Sequence, residues 1–262
     1  MLDNLTLILC LGCQFLAGPA GDTGRVDVEL VLAVDASNSM DEDEYAMQRA
    51  GYVMALRDPA FANAVLAGAE GRIAVTYFEW SGSVREDSIV PWQIIDGAES
   101  AAVFADKLAA RPLGGSGGGT SISDAVAFGA SLFDQSAAIG ARRVIDISGD
   151  GPNNTGKPVA AVRDAALSRG IIINGLPILI RPSQMTAKLF GGLDLYYADC
   201  VTGGPGSFVL PIHDASEFIT AIRHKLILEV GGLPIPEAKM TPAAAPIDCL
   251  IGENYRLLYP DP

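Results

Sequence analysis

The sequence predicts an α/β fold in which a doubly wound, mostly parallel central sheet is flanked by helices. Apolar runs alternate with amphipathic stretches along most of the chain, as strands and helices do in such folds. Several of these runs, among them VDVELVLAV and IIINGLPIL, are continuous enough to be buried on both faces of a sheet. Strands that alternate with helices favour right-handed crossovers and therefore parallel pairing.

The first part of the predicted domain contains three strands and a helix. VDVELVLAV, residues 26–34, has the unbroken apolar character of a central strand. Residues 41–58 follow as a helix, with acidic side chains in the first turn, where the helix dipole favours them. RIAVTYFEW, residues 72–80, is the second strand. SIVPWQII, residues 88–95, is predicted to be an edge strand because a proline is tolerated there and not in a central strand.

The elements in the middle of the domain are predicted from residues that cap helices and from glycines that interrupt regular secondary structure. SAAVFADKLAAR, residues 100–111, has a helical pattern, and the glycine-rich stretch PLGGSGGGTS that follows is a loop. The next helix covers residues 121–136, with Ser121 or Ser123 able to cap its first turn. RRVIDISGDG, residues 142–151, is then a strand that ends on a glycine and an aspartate.

The last part of the domain repeats the alternation. Residues 157–170 have a proline near the start and a glycine at the end, as helices do. IIINGLPIL is another buried strand, SFVLPI at 207–212 is a short one, and residues 214–230 form a long helix. We therefore expect one domain over residues 26–230, followed by a proline-rich C-terminal tail over residues 231–262.

Length, composition and charge restrict the class of protein. With 262 residues, 49% hydrophobic and 19% charged, the chain can bury a sizeable core and is not expected to be disordered. Its formal net charge is −13 and its pI is about 4.5, which argues against a nucleic-acid partner because phosphate binding needs basic surface. The same charge suits a soluble protein that attracts cations.

The N-terminus resembles a secretory signal peptide over residues 1–20. An apolar run of about thirteen residues, Leu5 to Ala17, is too short to span a bilayer, and Gly18 and Ala20 resemble a cleavage site. No basic residue precedes the run, so a buried N-terminal helix is the alternative. A signal peptide implies a periplasmic or secreted protein with no membrane span.

The cysteine count suggests one disulfide in an exported chain. Cys10 and Cys13 lie within the predicted signal peptide, so Cys200 and Cys249 would remain after cleavage. An even pair in an oxidising compartment is a disulfide candidate, and here it would tie the tail to the domain. Two unrelated buried thiols are the alternative.

Oxygen-bearing side chains follow the predicted strands where a ligand site is expected. Ligands of such sheets bind at the carboxyl ends of the strands, near the switch in strand order. Asp35, Ser37 and Ser39 come directly after the first strand, Thr120 ends the glycine loop, and Asp150 follows a later strand. Together they offer two carboxylates and three hydroxyls, which suit Mg²⁺, Mn²⁺ or Ca²⁺ and not zinc. Because two carboxylates only neutralise a divalent cation, an acidic side chain of a partner could bind to it.

These motifs resemble a von Willebrand factor A domain. The motif D-x-S-x-S at Asp35, Ser37 and Ser39, the GGT threonine Thr120 and the SGDG aspartate Asp150 match its metal-ion-dependent adhesion site in order and spacing. The resemblance covers roughly residues 26–230 and implies a Rossmann-like fold and a protein-binding, adhesion-type role. It also implies a protein ligand with an exposed Asp or Glu, bound through the metal.

A narrower likeness is carried by four further stretches, RIAVTYFEW, VPWQIIDG, RRVIDISGDGPNN and DCVTGGPGSFV. They look like a family of secreted bacterial proteins of this type that contain a domain of unknown function. The likeness implies the domain and names no ligand. Within GDGPNN, Asn153 and Asn154 are expected to shape the metal loop or extend the binding surface.

An enzyme is the alternative class, as a metal-dependent hydrolase or phosphatase. Asp35 after a strand resembles the nucleophile of haloacid-dehalogenase-like phosphatases, but Ser37 stands where they have a second aspartate, the general acid. GGSGG at 114–118 matches G-x-S-x-G without the strand and helix that a nucleophile elbow needs. His213 and His224 lie far from the metal loops in sequence. We expect no catalytic residues, no organic cofactor and no enzyme activity.

Overall fold

The structure is a computed structural model that describes residues 24–37, 42–113, 118–180, 192–231 and 247–258. The predicted signal peptide, Ser39, the glycines at 114, 115 and 117 and most of the proline-rich tail therefore lie outside the described residues.

A five-stranded sheet forms the centre of the fold and confirms the predicted α/β class. The strands are β1 Arg25–Asp35, β2 Ile73–Trp80, β3 Val84–Ile95, β4 Ile139–Gly149 and β5 Ile171–Pro177. Their order in the sheet is β3-β2-β1-β4-β5; β3 runs antiparallel to β2, and every other neighbouring pair is parallel. Strand β3, which contains Pro91, is at the edge, as predicted.

Helices cover both faces of the sheet. Ser121 caps the helix that follows the glycine loop, because its side chain accepts a hydrogen bond from the backbone of Asp124 at 3.3 Å. The helices are α1 Glu42–Leu56, α2 Pro59–Leu66, α3 Ala98–Ala109, α4 Ile122–Leu132, α5 Val159–Ser168, α6 Leu193–Tyr196, α7 Phe218–Gly231 and α8 Ile251–Leu258.

Two hydrophobic cores explain why the central strands are apolar on both faces. Successive side chains of β1 point to opposite sides, so Leu30 and Leu32 belong to one core and Val31 and Ala33 to the other. The first core includes side chains from α1, α2, α3 and α7, and the second includes side chains from α4, α5 and α6. Burial on both sides holds the strand ends in fixed positions.

One expectation about an element was wrong, and two helices were missed. SFVLPI is not a strand of the sheet: it makes isolated bridges from Val209 to Gly175 and from Ile212 to Ile178. Pro177 lacks the N–H group that a continuous ladder needs between Gly175 and Leu179, so pairing along this edge is interrupted. The tail contains helix α8, which was not predicted. Helix α2, which Asp58 caps, was not predicted.

The predicted disulfide is confirmed. Cys200 and Cys249 are bonded, with their Cα atoms 5.4 Å apart. The bond joins the segment after α6 to the residue two positions before α8. This part of the tail is therefore covalently attached to the domain.

The chain reverses direction across the sheet between β1 and β4. From β1 it passes through α1 and α2 to β2 and then β3 on one side, and it returns through α3 and α4 to β4 on the other. Val34 pairs with Ser148, so Asp35 and Gly149 end their strands at the same level. The crevice at these two strand ends is the topological switch point, where ligands bind in doubly wound folds.

Candidate functional site

Asp35 is buried at the end of β1 in a turn held by hydrogen bonds. The Ser37 N–H donates to Asp35 Oδ1 at 2.8 Å, and Gln48 Nε2 of α1 donates to the Asp35 carbonyl at 2.7 Å. The Ala36 N–H donates to the carbonyl of Trp80 at the end of β2. These contacts orient the carboxylate toward the crevice side of the turn. Its second oxygen, Oδ2, is buried and has no hydrogen-bond partner.

The electrostatics at Asp35 disfavour its own charge. Burial and, next, the charge of the nearby Asp150 carboxylate raise the pKa of Asp35 to about 8, against hydrogen bonds from Ser37 and from the Asp150 backbone that lower it. The effect of Asp150 on this pKa indicates that the two carboxylates are close. A buried carboxylate with an unpartnered oxygen and a like charge beside it is costly, and a bound cation would offset that cost.

Gly149 leaves space beside this carboxylate. A Cβ atom at position 149 would lie 2.9 Å from Asp35 Oδ2 and 2.7 Å from Tyr197 Oη, closer than real Cβ atoms come. The glycine therefore allows the β4 end to approach Asp35. The unpartnered Oδ2, the neighbouring Asp150 and this close packing together fit a site for a small cation.

Tyr197 is a neighbour of the site that sequence reasoning missed. Its hydroxyl is buried without a hydrogen-bond partner, and burial together with the charges of Asp35 and Asp150 holds its pKa well above the usual range. Tyr197 follows α6, far from the metal motifs in sequence. No spacing rule links it to them, so only the tertiary structure reveals it.

Thr120 is held at the same end of the sheet by the loop after β4. The Thr120 N–H donates to Asn154 Oδ1 at 2.8 Å, and the Asn154 N–H donates to the Thr120 carbonyl at 2.9 Å. A Cβ atom at Gly151 would be 3.8 Å from Thr120 Oγ1, so the threonine hydroxyl faces the turn that carries Asp150. The expectation that Asn154 shapes the metal loop agrees with this contact.

The structure thus brings four of the five predicted ligands to one edge of the sheet: Asp35, Ser37, Thr120 and Asp150. Ser39 lies outside the described residues. Across the parts of the chain that the structure describes, no group of three or more His, Cys, Asp or Glu side chains could hold a metal. A cation here would therefore need hydroxyl oxygens in addition to the two carboxylates.

Of the residues considered for catalysis, Asp35 lies at this edge, and the two histidines belong to the C-terminal part of the domain. His213 and His224 are both exposed, the first in the turn before α7 and the second on α7. Most of the GGSGG stretch lies outside the described residues. In the described portion of the chain, no helix is both long and apolar enough to span a membrane.

Three solved structures illustrate the similarity of this chain to proteins of known structure. The vWF domain of the type V pili tip protein Mfa5 from Porphyromonas gingivalis is 9% identical, with a TM-score of 0.53 over 82% of this chain and 98% of that one. The pilus adhesin SpaC from Lactobacillus rhamnosus GG is 15% identical, with a TM-score of 0.52 over 78% of this chain and 30% of that one.

The third structure is proximal thread matrix protein 1 from the mussel byssus, described with a zinc-occupied MIDAS motif, the metal-ion-dependent adhesion site. It is 15% identical, with a TM-score of 0.51 over 78% of this chain and 48% of that one. The match therefore spans about half of the mussel chain. At these identities the likeness establishes the fold alone. No curated protein matches the chain.

The sheet order, the two helical layers and these neighbours show the fold of a von Willebrand factor A domain, which the sequence motifs had indicated. Within that class the chain belongs to the DUF1194 family, described as "Protein of unknown function", whose model matches residues 25–234. The family assignment agrees with the narrower likeness noted from the sequence.

Proposed function

We propose that this chain is an exported, metal-dependent protein-binding module of the adhesion type. The proposed ligands of its divalent cation are Asp35, Ser37, Ser39, Thr120 and Asp150. The observation that carries the proposal is the buried, unpartnered Oδ2 of Asp35, beside the like charge of Asp150 at the switch point of the sheet. That arrangement is unfavourable by itself and favourable around a cation.

The proposed cation is Mg²⁺, with Mn²⁺ and Ca²⁺ as substitutes. The donor atoms are carboxylate and hydroxyl oxygens, which hard divalent cations prefer. The zinc described in the mussel protein supports divalent-cation binding in this fold. When bound, the cation supplies a Lewis-acidic position for one more anionic oxygen. Asp35 and Asp150 neutralise its charge without exceeding it, because the three hydroxyl groups add none.

The proposed partner is a protein with an exposed Asp or Glu side chain. The pilus adhesin and pilus-tip neighbours support an adhesion role for the fold. A net charge of −13 does not suit nucleic acid. We propose binding without catalysis because both histidines are exposed and distant from the motif in sequence, and neither is a candidate to move a proton there.

The proposed location is periplasmic or secreted. The disulfide between Cys200 and Cys249 supports an oxidising compartment, in which such bonds persist. In this proposal residues 1–20 are a signal peptide, residues 26–230 are the binding domain and residues 231–262 are a C-terminal extension.

Metal titration of Asp150→Ala tests the proposal. The variant should lose calorimetric Mg²⁺ binding and should no longer capture envelope proteins that the wild type captures with Mg²⁺ and releases with EDTA. Asp106→Ala is the matched control. Asp106 is an exposed carboxylate on α3, a helix that packs on the first core, and it pairs with Arg57. Capture that survives both EDTA and Asp150→Ala would refute the proposal. Metal-dependent hydrolysis of a phosphate ester, lost in Asp35→Asn, would favour the phosphatase alternative.

A further inference from the structure

The C-terminal helix α8 packs against the loop that follows β4. Glu253 Oε1 accepts a hydrogen bond from Asn153 Nδ2 at 2.7 Å. Arg256 Nη1 donates to Thr155 Oγ1, and it lies 3.5 Å from Asn154 Oδ1. One face of α8 therefore contacts three consecutive residues of the loop that begins at Asp150.

The same loop residues also form hydrogen bonds with the segment that carries Thr120. Asn153 Oδ1 accepts from the Ser123 N–H at 2.9 Å, in the first turn of α4. Asn154 exchanges two hydrogen bonds with the Thr120 backbone, at 2.8 and 2.9 Å. Asn153 and Asn154 thus contact α8 on one side and the segment that carries Thr120 on the other. A displacement of α8 would therefore also displace that segment.

The helix fits closely against these loops. A Cβ atom at Gly252 would lie 2.1 Å from the Asn153 carbonyl oxygen and 2.9 Å from its carbon. On the other side, a Cβ atom at Gly119 would lie 2.8 Å from Arg256 Nη1. At both positions the absence of a side chain on the glycine permits the close contact. Helix α8 is therefore tightly packed against the loop after β4, at Asn153, and against the glycine loop, at Gly119.

The disulfide joins this helix to a segment that also reaches the site. Cys200 is buried in the helical turn Tyr197–Val201, which directly follows Tyr196, the last residue of α6. Tyr196 Oη accepts from the Asn153 N–H at 3.2 Å and lies 3.5 Å from the Cys249 carbonyl. Bonding Cys249 to Cys200 thus keeps α8 beside the Asn153 loop.

We propose that α8 is a positioning element of the metal site and that the Cys200–Cys249 disulfide maintains it. Residues of α8 do not bind the cation. They act through Asn153 and Asn154, which set the placement of Asp150 and Thr120. This inference rests on the proposed function. Partners that orient metal ligands from outside the coordination shell commonly change metal affinity by about 10- to 100-fold when they are removed.

The test is the Mn²⁺ dissociation constant of the full chain, measured by the electron paramagnetic resonance of free Mn²⁺. Glu253→Ala and Gly252→Ala should each weaken Mn²⁺ binding about tenfold or more. Glu253→Gln keeps an oxygen that can accept from Asn153, so its affinity should stay near that of the wild type. Leu257→Ala is the matched control on the same helix, because Leu257 is 82% exposed.

A core variant distant from the site separates positioning from general destabilisation. Phe61→Leu, in α2 on the other face of the sheet, should lower the melting temperature without changing Mn²⁺ affinity. Reduction of the disulfide, and the double variant Cys200→Ser/Cys249→Ser, should weaken Mn²⁺ binding as Glu253→Ala does. If Gly252→Ala does not fold, the Mn²⁺ affinities of Glu253→Ala and Glu253→Gln still test whether α8 positions the metal site.

The outcomes distinguish this inference from the proposed function. A wild type that binds no Mn²⁺ would refute both the metal-dependent function and the inference resting on it. A wild type that binds Mn²⁺, with Glu253→Ala and the reduced protein binding it equally well, would overturn the positioning role alone. Equal losses in Glu253→Ala and Glu253→Gln would also overturn it, because the hydrogen bond to Asn153 would then not be the cause.

Discussion

Replacing Gly149 with alanine should disturb the candidate metal site directly. This glycine ends β4 beside Asp35, and an added Cβ would come within 2.9 Å of Asp35 Oδ2 and 2.7 Å of Tyr197 Oη. Both atoms are buried, so neither can move into solvent without disrupting the packing around it. The variant should therefore displace the Asp35 carboxylate and strain the segment that carries Tyr197.

The size of the effect follows from the two close contacts. Forcing an extra methyl group into a packed interior costs about 1–3 kcal/mol. For a domain of this size, that corresponds to a fall in melting temperature of about 3–9 °C. Mn²⁺ affinity should fall by at least about tenfold, because a ligand that is displaced loses more than an outer-shell contact does.

A second substitution separates the two contacts. Tyr197→Phe removes the hydroxyl that the new methyl group would meet at 2.7 Å but leaves the Asp35 contact in place. The double variant Gly149→Ala/Tyr197→Phe should therefore recover part of the lost melting temperature and none of the lost Mn²⁺ affinity. Tyr197→Phe alone should be close to neutral, because the hydroxyl it removes is buried without a partner.

Thermal denaturation by circular dichroism and Mn²⁺ titration are the two assays for these variants. Gly97→Ala is the matched control, because nothing lies within 4 Å of the Cβ it would add before α3. If Gly149→Ala matches Gly97→Ala in both melting temperature and Mn²⁺ affinity, the proposed contact between Gly149 and the Asp35 carboxylate is wrong.

Two further predictions concern buried charges away from the metal. Glu79→Ala leaves the buried Arg49 guanidinium without its carboxylate and should cost about 3–5 kcal/mol in urea denaturation, whereas Asp87→Ala, at an exposed ion pair, should cost about 0–1 kcal/mol; similar losses in both would contradict this. Burial raises the pKa of Asp146 from 3.8 to about 7, so the folded state keeps a proton that the unfolded state releases. The stability of the wild type relative to Asp146→Asn should therefore fall by up to about 1.4 kcal/mol per pH unit between about pH 4 and pH 7, and a constant difference would contradict this.

The sequence was a good guide where local pattern and burial agree. The runs VDVELVLAV and IIINGLPIL became β1 and β5, and side chains of both strands belong to the two cores on opposite faces of the sheet. The D-x-S-x-S turn and the two other motifs stand at strand or helix ends, so their common edge follows from the α/β order. Pro91 correctly marked the edge strand.

Prediction failed where the structure depends on contacts distant in sequence. SFVLPI has the composition of a strand, but Pro177 of β5 has no N–H to donate to it, so the pairing of the two segments is interrupted. Helix α8 follows a proline-rich stretch and is held by a disulfide and by loop contacts that its own pattern does not indicate. Only two residues, Arg57 and Asp58, separate α2 from α1, and the cap at Asp58 was overlooked.

Tyr197 shows the same limit for the site. Its approach to Asp35 depends on how the segment after α6 folds back over β4 and β5. The motif residues could be proposed from the sequence because each lies at the end of a predicted element. A residue brought to the site by tertiary packing alone carries no such signal.

A crystal structure of the protein soaked in Mn²⁺, with anomalous difference maps at the manganese edge, tests the central claim most directly. The account predicts one strong peak in the crevice between the ends of β1 and β4. Oxygen atoms of Asp35, Ser37, Ser39, Thr120 and Asp150 should surround it, directly or through one water. A peak elsewhere with none in this crevice, or no peak at saturating Mn²⁺, would contradict it.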